Sequence, residues 1–532
     1  MHGTTDARLD QDPEIHRRRW KILGVLCLSL VVVMVANTSM NVALPTLSAE
    51  VGASQSDLQW LVDAYSLVFA GLLFTAGTLG DRFGRKGFLQ AGMAVFGLSA
   101  LAATLFADSP GQLIAIRAVM GVGGALVMPA TLSILTNVFP PHERAKAVAT
   151  WAGISGGGTA LGPVLSGFLL EHYSWHAVFA VNVPVVAVSL VAVSLIVPRS
   201  RNPHRTPIDV VGAVLSTVGL STIVYALIEA PTHGWLSAET VGVLAGGLAV
   251  MAVFALWELR APHPMLDVRL FRIPAFGVSS LTLTLVFFAL MGTFFSVSLL
   301  LQLVYGYTPL GSAVRMLPVS VVLVLVAPRS ARLVARFGKS NVVTAGMLLL
   351  GMGMATMATL TSSSPYVQLL VALGLSAAGM GLAMAPTTDL LMSAVPRAQA
   401  GMGSAMNDTT RELGGSLGVA VFGSLLASRY AHELAPTVQA LPDAARDAAT
   451  SSLAGALGVA ERAGGSAGAT LGQAARDAWM SGFSISLTVA AAIVAAAALL
   501  AWRALPDAAH DSDALAVEPP EVLPGDPALA EA

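Results

Sequence analysis

Long runs of apolar residues, separated by short polar segments, form the dominant pattern along this chain. Each run is close to the roughly 20 residues that an α-helix needs to cross the hydrocarbon core of a bilayer. The pattern therefore predicts an all-α polytopic membrane protein with fourteen spans. The runs lie near 22–47, 57–79, 88–107, 111–138, 144–170, 176–197, 208–228, 239–258, 275–302, 311–334, 341–361, 366–393, 400–429 and 479–502.

The basic residues of the polar segments predict the orientation, because cytoplasmic loops carry an excess of lysine and arginine. With a cytoplasmic N-terminus, the short outer loops near 48–56, 108–110, 171–175 and 229–238 hold neither. An even number of spans places both termini on one side, so we expect both in the cytoplasm. The inner segments then hold Arg17, Arg18, Arg19, Lys21, Arg82, Arg85, Lys86, Arg144, Lys146, Arg199, Arg201, Arg205, Arg260, Arg269, Arg272, Arg329, Arg332, Arg336, Lys339 and Arg397.

Two internal repeats relate the beginning of the chain to its end. Arg82-Phe83-Gly84 recurs as Arg336-Phe337-Gly338, at an offset of 254 residues. Repeats of this kind predict two related halves with a substrate site at their interface. The pattern of span 5 also recurs in span 13 at an offset of 256 residues, where Gly158, Leu161, Gly162 and Gly167 correspond to Gly414, Leu417, Gly418 and Gly423.

These repeats predict the domain organisation. The long outer loop 430–477 contains two Ala-rich stretches, near 443–449 and 453–463, that can form short helices. The C-terminal tail is rich in Pro, Asp, Glu and Ala, a composition typical of disorder. The expected units are a cytoplasmic tail at 1–20, a six-helix half at 21–198, two inserted helices at 199–260, a second six-helix half at 261–503 and a disordered cytoplasmic tail at 504–532.

Composition excludes several classes of function. Of the 532 residues, 55% are hydrophobic and 11% charged, whereas a soluble domain has about 25% charged residues. The net charge of −2 gives no reason to expect nucleic-acid binding. Cys27 is the only cysteine, so the chain has no internal disulfide and no cysteine cluster for a metal. Neither G-x-x-x-x-G-K nor H-E-x-x-H occurs, which argues against an ATPase or a membrane metalloprotease.

A charged loop between spans 2 and 3 carries the most specific motif. Gly80 and Gly84 bracket an acid and a base, so the chain can turn sharply at the membrane face. On charge alone the loop is an ordinary cytoplasmic turn. The whole stretch resembles the G-x-L-x-D-R-x-G-R-[KR] signature of the Major Facilitator Superfamily. The matching residues are Gly77, Gly80, Asp81, Arg82, Gly84, Arg85 and Lys86, with Leu79 between them.

Asp81 in this loop has a predicted partner in the second half. We expect it near the N-terminus of span 13, which starts near Gly401, because the helix dipole favours an anion there. Such a contact would hold the cytoplasmic side closed.

Span 5 is rich in glycines spaced by four, a spacing that lets a second helix approach one face closely. Its proline removes a backbone donor and can kink the helix. A structural packing groove would account for both features. The arrangement also resembles the antiporter motif of facilitator-superfamily exporters, in which it is thought to seal the two halves. The motif residues are Gly153, Gly157, Gly158, Gly162, Pro163 and Gly167.

Spans 1 and 4 carry polar residues at membrane depth. Asn37 and Asn41, with Pro45, resemble the first-helix motif of the fourteen-span drug:proton antiporters, and Arg117 resembles the R-x-x-x-G motif of their fourth helix. Depths calculated from the helix rise place Asp63 at the level of Arg117. We therefore expect an Asp63–Arg117 pair, which is either a static ion pair or part of a functional site.

Span 13 contains two acids four residues apart, Asp408 and Glu412. Glu412 falls near the bilayer midplane, and the repeat aligns it with Gly156 of span 5. It can pair with Arg315 or Arg411, or it can bind a cation or carry a proton. The apolar residues Tyr65, Phe287, Phe288, Met291, Phe294 and Phe295 are candidates to line an adaptable pocket. Asp209, Glu229 and Asp389 lie near helix ends and are expected at the membrane interface.

The resemblance covers almost the whole chain and implies a transporter of the cytoplasmic membrane, not an enzyme. It implies alternating access that exports a lipophilic, often cationic, drug or antibiotic. The expected partners are this substrate, protons and the lipid bilayer, and the expected protein is a monomer without cofactor or metal, driven by a proton gradient. An uptake facilitator or symporter is the first alternative, against which the span 5 motif argues. A membrane sensor that does not transport is the second, against which the intact motifs argue.

Overall fold

The computed structural model describes residues 9, 12–51, 55–200, 209–262, 264–396 and 399–505. The regular secondary structure of this part is entirely helical, with short connections between the helices and a π-helical turn at Leu300–Val304 that follows α10. The helices are α1 (Pro13–Val51), α2 (Gln55–Phe83), α3 (Arg85–Phe106), α4 (Pro110–Val138), α5 (Pro141–His172), α6 (His176–Ala180), α7 (Asn182–Ile196), α8 (Val210–His233), α9 (Ala238–Glu258), a 3₁₀ turn (Val268–Arg272), α10 (Pro274–Leu299), α11 (Pro309–Phe337), α12 (Lys339–Ala358), α13 (Tyr366–Ser393), α14 (Ala400–Val438), α15 (Asp443–Ser451), α16 (Leu453–Ala463) and α17 (Gly465–Ala504).

The helix packing has the two-fold pseudo-symmetry that the repeats predict. In the first half α2 and α3 pack on α4, α1 on α5, and α3 on α7. The same pattern recurs in the second half, where α11 and α12 pack on α13, α10 on α14, and α12 on α17. Across the interface α2 packs on α14 and α5 on α11. The fold is therefore two related six-helix halves, although the exact domain boundaries stay a prediction.

The inserted helices α8 and α9 pack on each other, and α8 also contacts α2 and α14. Helix α8 therefore lies along one boundary between the two halves. Ser221 of α8 donates to the Leu67 carbonyl of α2, at 3.4 Å, and Trp235 just beyond α8 donates to Ser424 of α14, at 2.6 Å.

Thirteen helical segments of the described part are long and apolar enough to cross a membrane, one fewer than we expected. The expected span near 400–429, which is α14, is not among them. Its 39 residues are long enough, but its membrane-depth half contains Asp408, Arg411 and Glu412. These charges lower its hydropathy, while its packing against α2, α4 and α10 keeps it inside the bundle.

The N-terminal tail that we expected at 1–20 is partly helical, because α1 begins at Pro13. Asp12 caps this helix by accepting hydrogen bonds from the backbone N–H groups of Glu14 and Ile15, at 2.8 and 3.2 Å. An aspartate before a proline is a favourable helix start. Most of the expected disordered tail, residues 506–532, lies outside the described residues.

The expected outer loop 430–477 is mostly helical. The two short helices predicted within it are present as α15 and α16, and α14 and α17 extend into the same region. The hydroxyl of Tyr430 donates to the backbone carbonyls of Ala449 and Ser452, at 2.7 and 3.2 Å, and so ties α15 to the end of α14.

Candidate functional site

Asp81, near the end of α2, joins the two halves of the bundle. The backbone N–H of Gly401, in the first turn of α14, donates to its Oδ2 at 2.7 Å. Arg85 Nε donates to its Oδ1 at 2.6 Å, and Asp81 is only 5% exposed. The first N–H groups of a helix have no partner within the helix and favour an anion. The contact that the sequence predicts between Asp81 and the start of span 13 is therefore present.

Two glycines allow α2 and α14 to meet at this place. A Cβ on Gly77 would lie 2.4 Å from the carbonyl oxygen of Gly401, and a Cβ on Gly401 would lie 2.3 Å from that of Gly77. Both obstacles are backbone atoms, so a larger residue requires the helices to separate. We call this meeting of Gly77 and Asp81 with Gly401 the α2–α14 contact. The sequence motif includes Gly77 but does not identify Gly401 as its partner.

The other motif residues act within the first half. Gly84 has a φ of 120° at the turn between α2 and α3, a conformation that side chains rarely adopt. Lys86 Nζ donates to the backbone carbonyls of Ser194 and Val197, both at 2.8 Å, at the C-terminal end of α7. Arg82 lies over the ring of Phe83, at 5.4 Å, and Gly80 faces Phe88 at an ordinary distance of 3.7 Å.

The second half replaces the Asp81–Arg85 pair with a different one. Lys339 Nζ lies 2.8 Å from Asp389 Oδ2. Asp389 is buried near the end of α13, and its expected level at the membrane interface stays a prediction. Lys339 follows Arg85 at the repeat offset of 254 residues. At the second repeat offset, 256 residues, Asp389 corresponds to Ser133, whose hydroxyl lies 3.4 Å from Asp81 Oδ1. The carboxylate has thus moved from the second helix of the repeat to the fourth.

The glycines of α5 pack against helices of both halves. Gly153 and Gly157 lie against Ala327 and Val324 of α11, where a Cβ would be in ordinary contact at 3.4 Å. Gly158 and Gly162 face α1 in the same half, and a Cβ on Gly162 would lie 2.8 Å from the carbonyl oxygen of Val35.

The remaining two residues of the span 5 motif are also part of α5. Pro163 lies inside this helix. Gly167 faces Leu310 of α11, where a Cβ would be 3.1 Å from the side chain. The motif therefore contributes to two packing faces, only one of which joins the halves.

Arg117 of α4 is fully buried. Its Nε donates to the carbonyl of Leu61 at 2.9 Å, its Nη2 donates to Asn37 Oδ1 at 3.3 Å, and its guanidinium lies 4.5 Å from the ring centre of Tyr65. The structure thus brings Asn37 and Arg117 together. The side chains of Asp63 and Asn41 lie outside the described part, so the Asp63–Arg117 pair stays a prediction.

Exchanging the two residues tests this pair. Removing one partner of a buried ion pair costs about 3–5 kcal/mol, so we expect Asp63→Asn and Arg117→Gln each to lower the amount of folded protein. If the pair is structural, the double variant Asp63→Arg with Arg117→Asp restores both folding and transport. If Asp63 carries a proton, the double variant restores folding alone. Full transport by Asp63→Asn contradicts both versions.

Three charged residues of α14 lie near the interface between the two halves, and they contact different neighbours. Arg411 Nη1 lies 3.6 Å from Asp408 Oδ1, and Asp408 is buried. Glu412 is half-buried and hydrogen-bonds to Ser66 of α2. The nearer partner of Arg411 is therefore Asp408, which precedes it by three residues. Arg315, which we considered as a partner for Glu412, lies over the ring of Tyr307, at 3.6 Å.

A small cavity of about 40 Å³ lies between α5 and the helices α10, α11, α13 and α14. Of the expected pocket residues, Phe287, Met291 and Phe294 line it. Phe288 instead packs on Phe422, with 5.6 Å between ring centres. The sequence prediction missed further residues of the lining, and the spacing of Met380 and Met384 by four was a signal for a shared face. The missed residues include Met316, Met380, Met384 and Arg411.

Comparison with known proteins agrees with this geometry. The sequence profile of the Major Facilitator Superfamily matches residues 26–419. The chain belongs to the Major Facilitator Superfamily. The chain is 34% identical over 504 residues to the tetracenomycin C resistance and export protein of Streptomyces glaucescens, covering 92% of this chain and 93% of that protein.

Two other relatives have similar coverage. The chain is 35% identical over 483 residues to the multidrug efflux pump LfrA of Mycolicibacterium smegmatis, covering 90% of this chain and 95% of the pump. It is 34% identical over 499 residues to the methyl viologen resistance protein SmvA of Salmonella typhimurium, covering 92% and 98%.

Solved structures support the fold. The crystal structure of the human organic anion transporter TETRAN superposes on this structure with a TM-score of 0.60 at 13% identity, covering 92% of this chain and all of that chain. The proton:xylose symporter XylE gives a TM-score of 0.57 at 15% identity, covering 92% and 97%. At these identities the likeness concerns the fold alone.

Proposed function

We propose that this protein exports drugs or antibiotics across the cytoplasmic membrane in exchange for protons. The observation that carries this proposal is the similarity, over at least 90% of the chain, to relatives named for efflux, export or resistance. The substrate is a lipophilic small molecule, and the proton gradient supplies the energy without a cofactor.

Transport proceeds by alternating access, in which the two halves rock about the site between them. The α2–α14 contact closes the cytoplasmic side, and the packing of α5 on α11 keeps the halves sealed while they move. The excess of basic residues at the ends of α2 and α11 supports a cytoplasmic location for these ends and for both termini. The protein functions as a monomer.

Polar residues of both halves are candidates for proton coupling and substrate binding. In the first half Asn37 contacts Arg117 directly. In the second half the carboxylate of Glu412, near the interface between the two halves, can take up and release a proton. A charge in the membrane is costly and is retained where function requires it. The remaining candidates are Asn41, Asp63 and Asp408.

Everted membrane vesicles test the function. In vesicles with an acidic lumen, we expect accumulation of a fluorescent drug that a protonophore abolishes, because outward export in the cell becomes inward transport. Vesicles without the protein are the control. Transport that persists at full rate without a pH gradient contradicts proton antiport, and drug extrusion from these vesicles, coupled to proton exit, supports the symporter alternative.

A further inference from the structure

We propose that Asp209 and Glu258 bind one proton between their carboxyl groups, and that this proton ties the inserted helices α8 and α9 to the start of the second half. The pair lies where α8 begins and α9 ends. Helix α9 packs mainly on α8, and neither acid lines the cavity between the halves. The inference therefore goes beyond the proposed export function and assigns a proton site outside the transport pathway.

Glu258 is a buried acid with one unsatisfied oxygen. The residue is 3% exposed, and its Oε2 accepts a hydrogen bond from the backbone N–H of Leu266 at 3.2 Å. Its Oε1 has no hydrogen-bond partner among the described residues. A buried polar atom without a partner is costly, so a ligand that satisfies Oε1 would stabilise this arrangement.

The carboxyl group of Asp209 lies next to this oxygen. The two side chains are within hydrogen-bonding reach of each other. A Cβ on Gly212 would lie 2.4 Å from Glu258 Oε1 and 2.7 Å from Asp209 Oδ2, so the glycine leaves room for both oxygens. Two carboxylates offer acceptors only, whereas a protonated carboxyl group has a donor. A proton on Glu258 Oε1 supplies the donor, and Asp209 accepts the hydrogen bond.

The helix ends decide which acid carries the proton. Asp209 caps the N-terminus of α8, where its Oδ1 accepts from the backbone N–H of Gly212 at 2.7 Å. Both of its oxygens also accept from Trp257 Nε1, at 2.9 Å. A helix N-terminus favours an anion and a helix C-terminus disfavours one. Asp209 is therefore the carboxylate of the pair, and Glu258, which ends α9, holds the proton.

No basic side chain of the described part compensates a second negative charge here. Among the described charged groups, only Asp209 acts electrostatically on Glu258. Asp267 accepts instead from the backbone N–H of Arg269, at 3.0 Å. Two adjacent carboxylates in a buried place repel each other strongly. The basic residues that follow α9 along the chain are exposed, namely Arg260, Arg269 and Arg272.

The shared proton holds together α8, α9 and the segment that leads to α10. Asp209 belongs to the start of α8, Glu258 to the end of α9, and Leu266, which is buried, to the segment before α10. Removing the proton puts two negative charges at this junction. The attachment of the inserted helices therefore loosens as the pH rises on this face of the membrane, which we propose to be the cytoplasmic one.

Infrared spectroscopy of the purified full-length protein tests the shared proton. A protonated carboxylic acid has a carbonyl stretching band that carboxylates lack. We expect this band in the wild-type protein at neutral pH and a loss of part of its intensity in Glu258→Gln. Glu239→Gln is the matched control, because Glu239 is an exposed acid at the opposite end of the same helix. A wild-type spectrum without the band, or equal bands in the wild type and Glu258→Gln, overturns the proposal.

Asp209→Asn tests whether the proton is shared. The variant removes the negative charge that retains the proton on Glu258, so the contribution of Glu258 to the band should disappear at a lower pH than in the wild type. An unchanged pH of disappearance would show that Asp209 does not share the proton.

Thermal unfolding at different pH values tests the tie between the helices, without substrate or a proton gradient, so its failure is separate from failure of export. The folded wild-type protein holds a proton that the unfolded chain releases, so each pH unit lowers the ratio of folded to unfolded protein by up to about tenfold. In Glu258→Gln the amide can donate to Asp209 and still accept from Leu266, as the protonated acid does. We expect this variant to lose that part of the pH dependence, and an identical decline of the unfolding midpoint in both proteins overturns the tie.

Discussion

Replacing Asp81 with asparagine is expected to reduce transport at least about tenfold while the protein still inserts into the membrane. The asparagine keeps the size of the side chain but loses the charge that attracts the start of α14 and Arg85. Hydrogen bonds to charged groups contribute about 1.5–3 kcal/mol, and about 1.4 kcal/mol changes an equilibrium tenfold. The conformation closed at the α2–α14 contact therefore becomes much less populated.

A single introduced cysteine can measure this shift. Cys27 is the only native cysteine, so Ala405→Cys in a Cys27→Ser background places one thiol beside Gly77, where Ala405 is fully buried. We expect a membrane-impermeant maleimide to label everted vesicles slowly in this background and much faster after Asp81→Asn. Gly77→Ala should act in the same direction, because its Cβ meets the backbone of Gly401.

Glu143→Gln is the control for the labelling experiment. Glu143 pairs with Arg19 at 2.5 Å, near the same end of the bundle but between helices of one half, so labelling should not change. Full transport and unchanged labelling in Asp81→Asn would show that the α2–α14 contact does not control access.

Replacing Glu412 with glutamine is expected to abolish proton-coupled export while the protein folds normally. A glutamine has nearly the same size and can still accept a hydrogen bond from Ser66, but it cannot take up or release a proton. Substrate and proton occupancy are linked reciprocally when binding of one lowers the affinity for the other. The variant should therefore still equilibrate substrate down its gradient but should not concentrate it.

Proton release from purified protein gives the direct measurement. We expect substrate addition to release protons from the wild-type protein and from Glu433→Gln, a matched control at a half-exposed acid of the same helix. Glu412→Gln should release none. If its release equals that of the wild type, Glu412 is not the coupling residue, and Asp63 and Asp408 are tested next by the same measurement.

The sequence alone predicted several features that depend on position along the chain. Apolar runs of membrane-spanning length predicted fourteen spans, of which thirteen are present as apolar helices of the described part, and the offsets of 254 and 256 residues predicted the symmetric halves. The partner of Asp81 was also predictable, because topology places the start of span 13 on the same membrane face and a helix N-terminus favours an anion. The short helices α15 and α16 followed from local composition, which acts without tertiary contacts.

The tertiary structure decided which helix faces meet. Periodicity shows which residues share a face but does not identify the helix opposite. Only the packing brought Gly401 against Gly77 and directed Arg411 to the cavity while its neighbour Glu412 turned to Ser66. The same reason explains the charged helix α14. A polar side chain tolerates membrane depth when a partner from another helix satisfies it, and the rotation and spacing of the packed helices determine that partner.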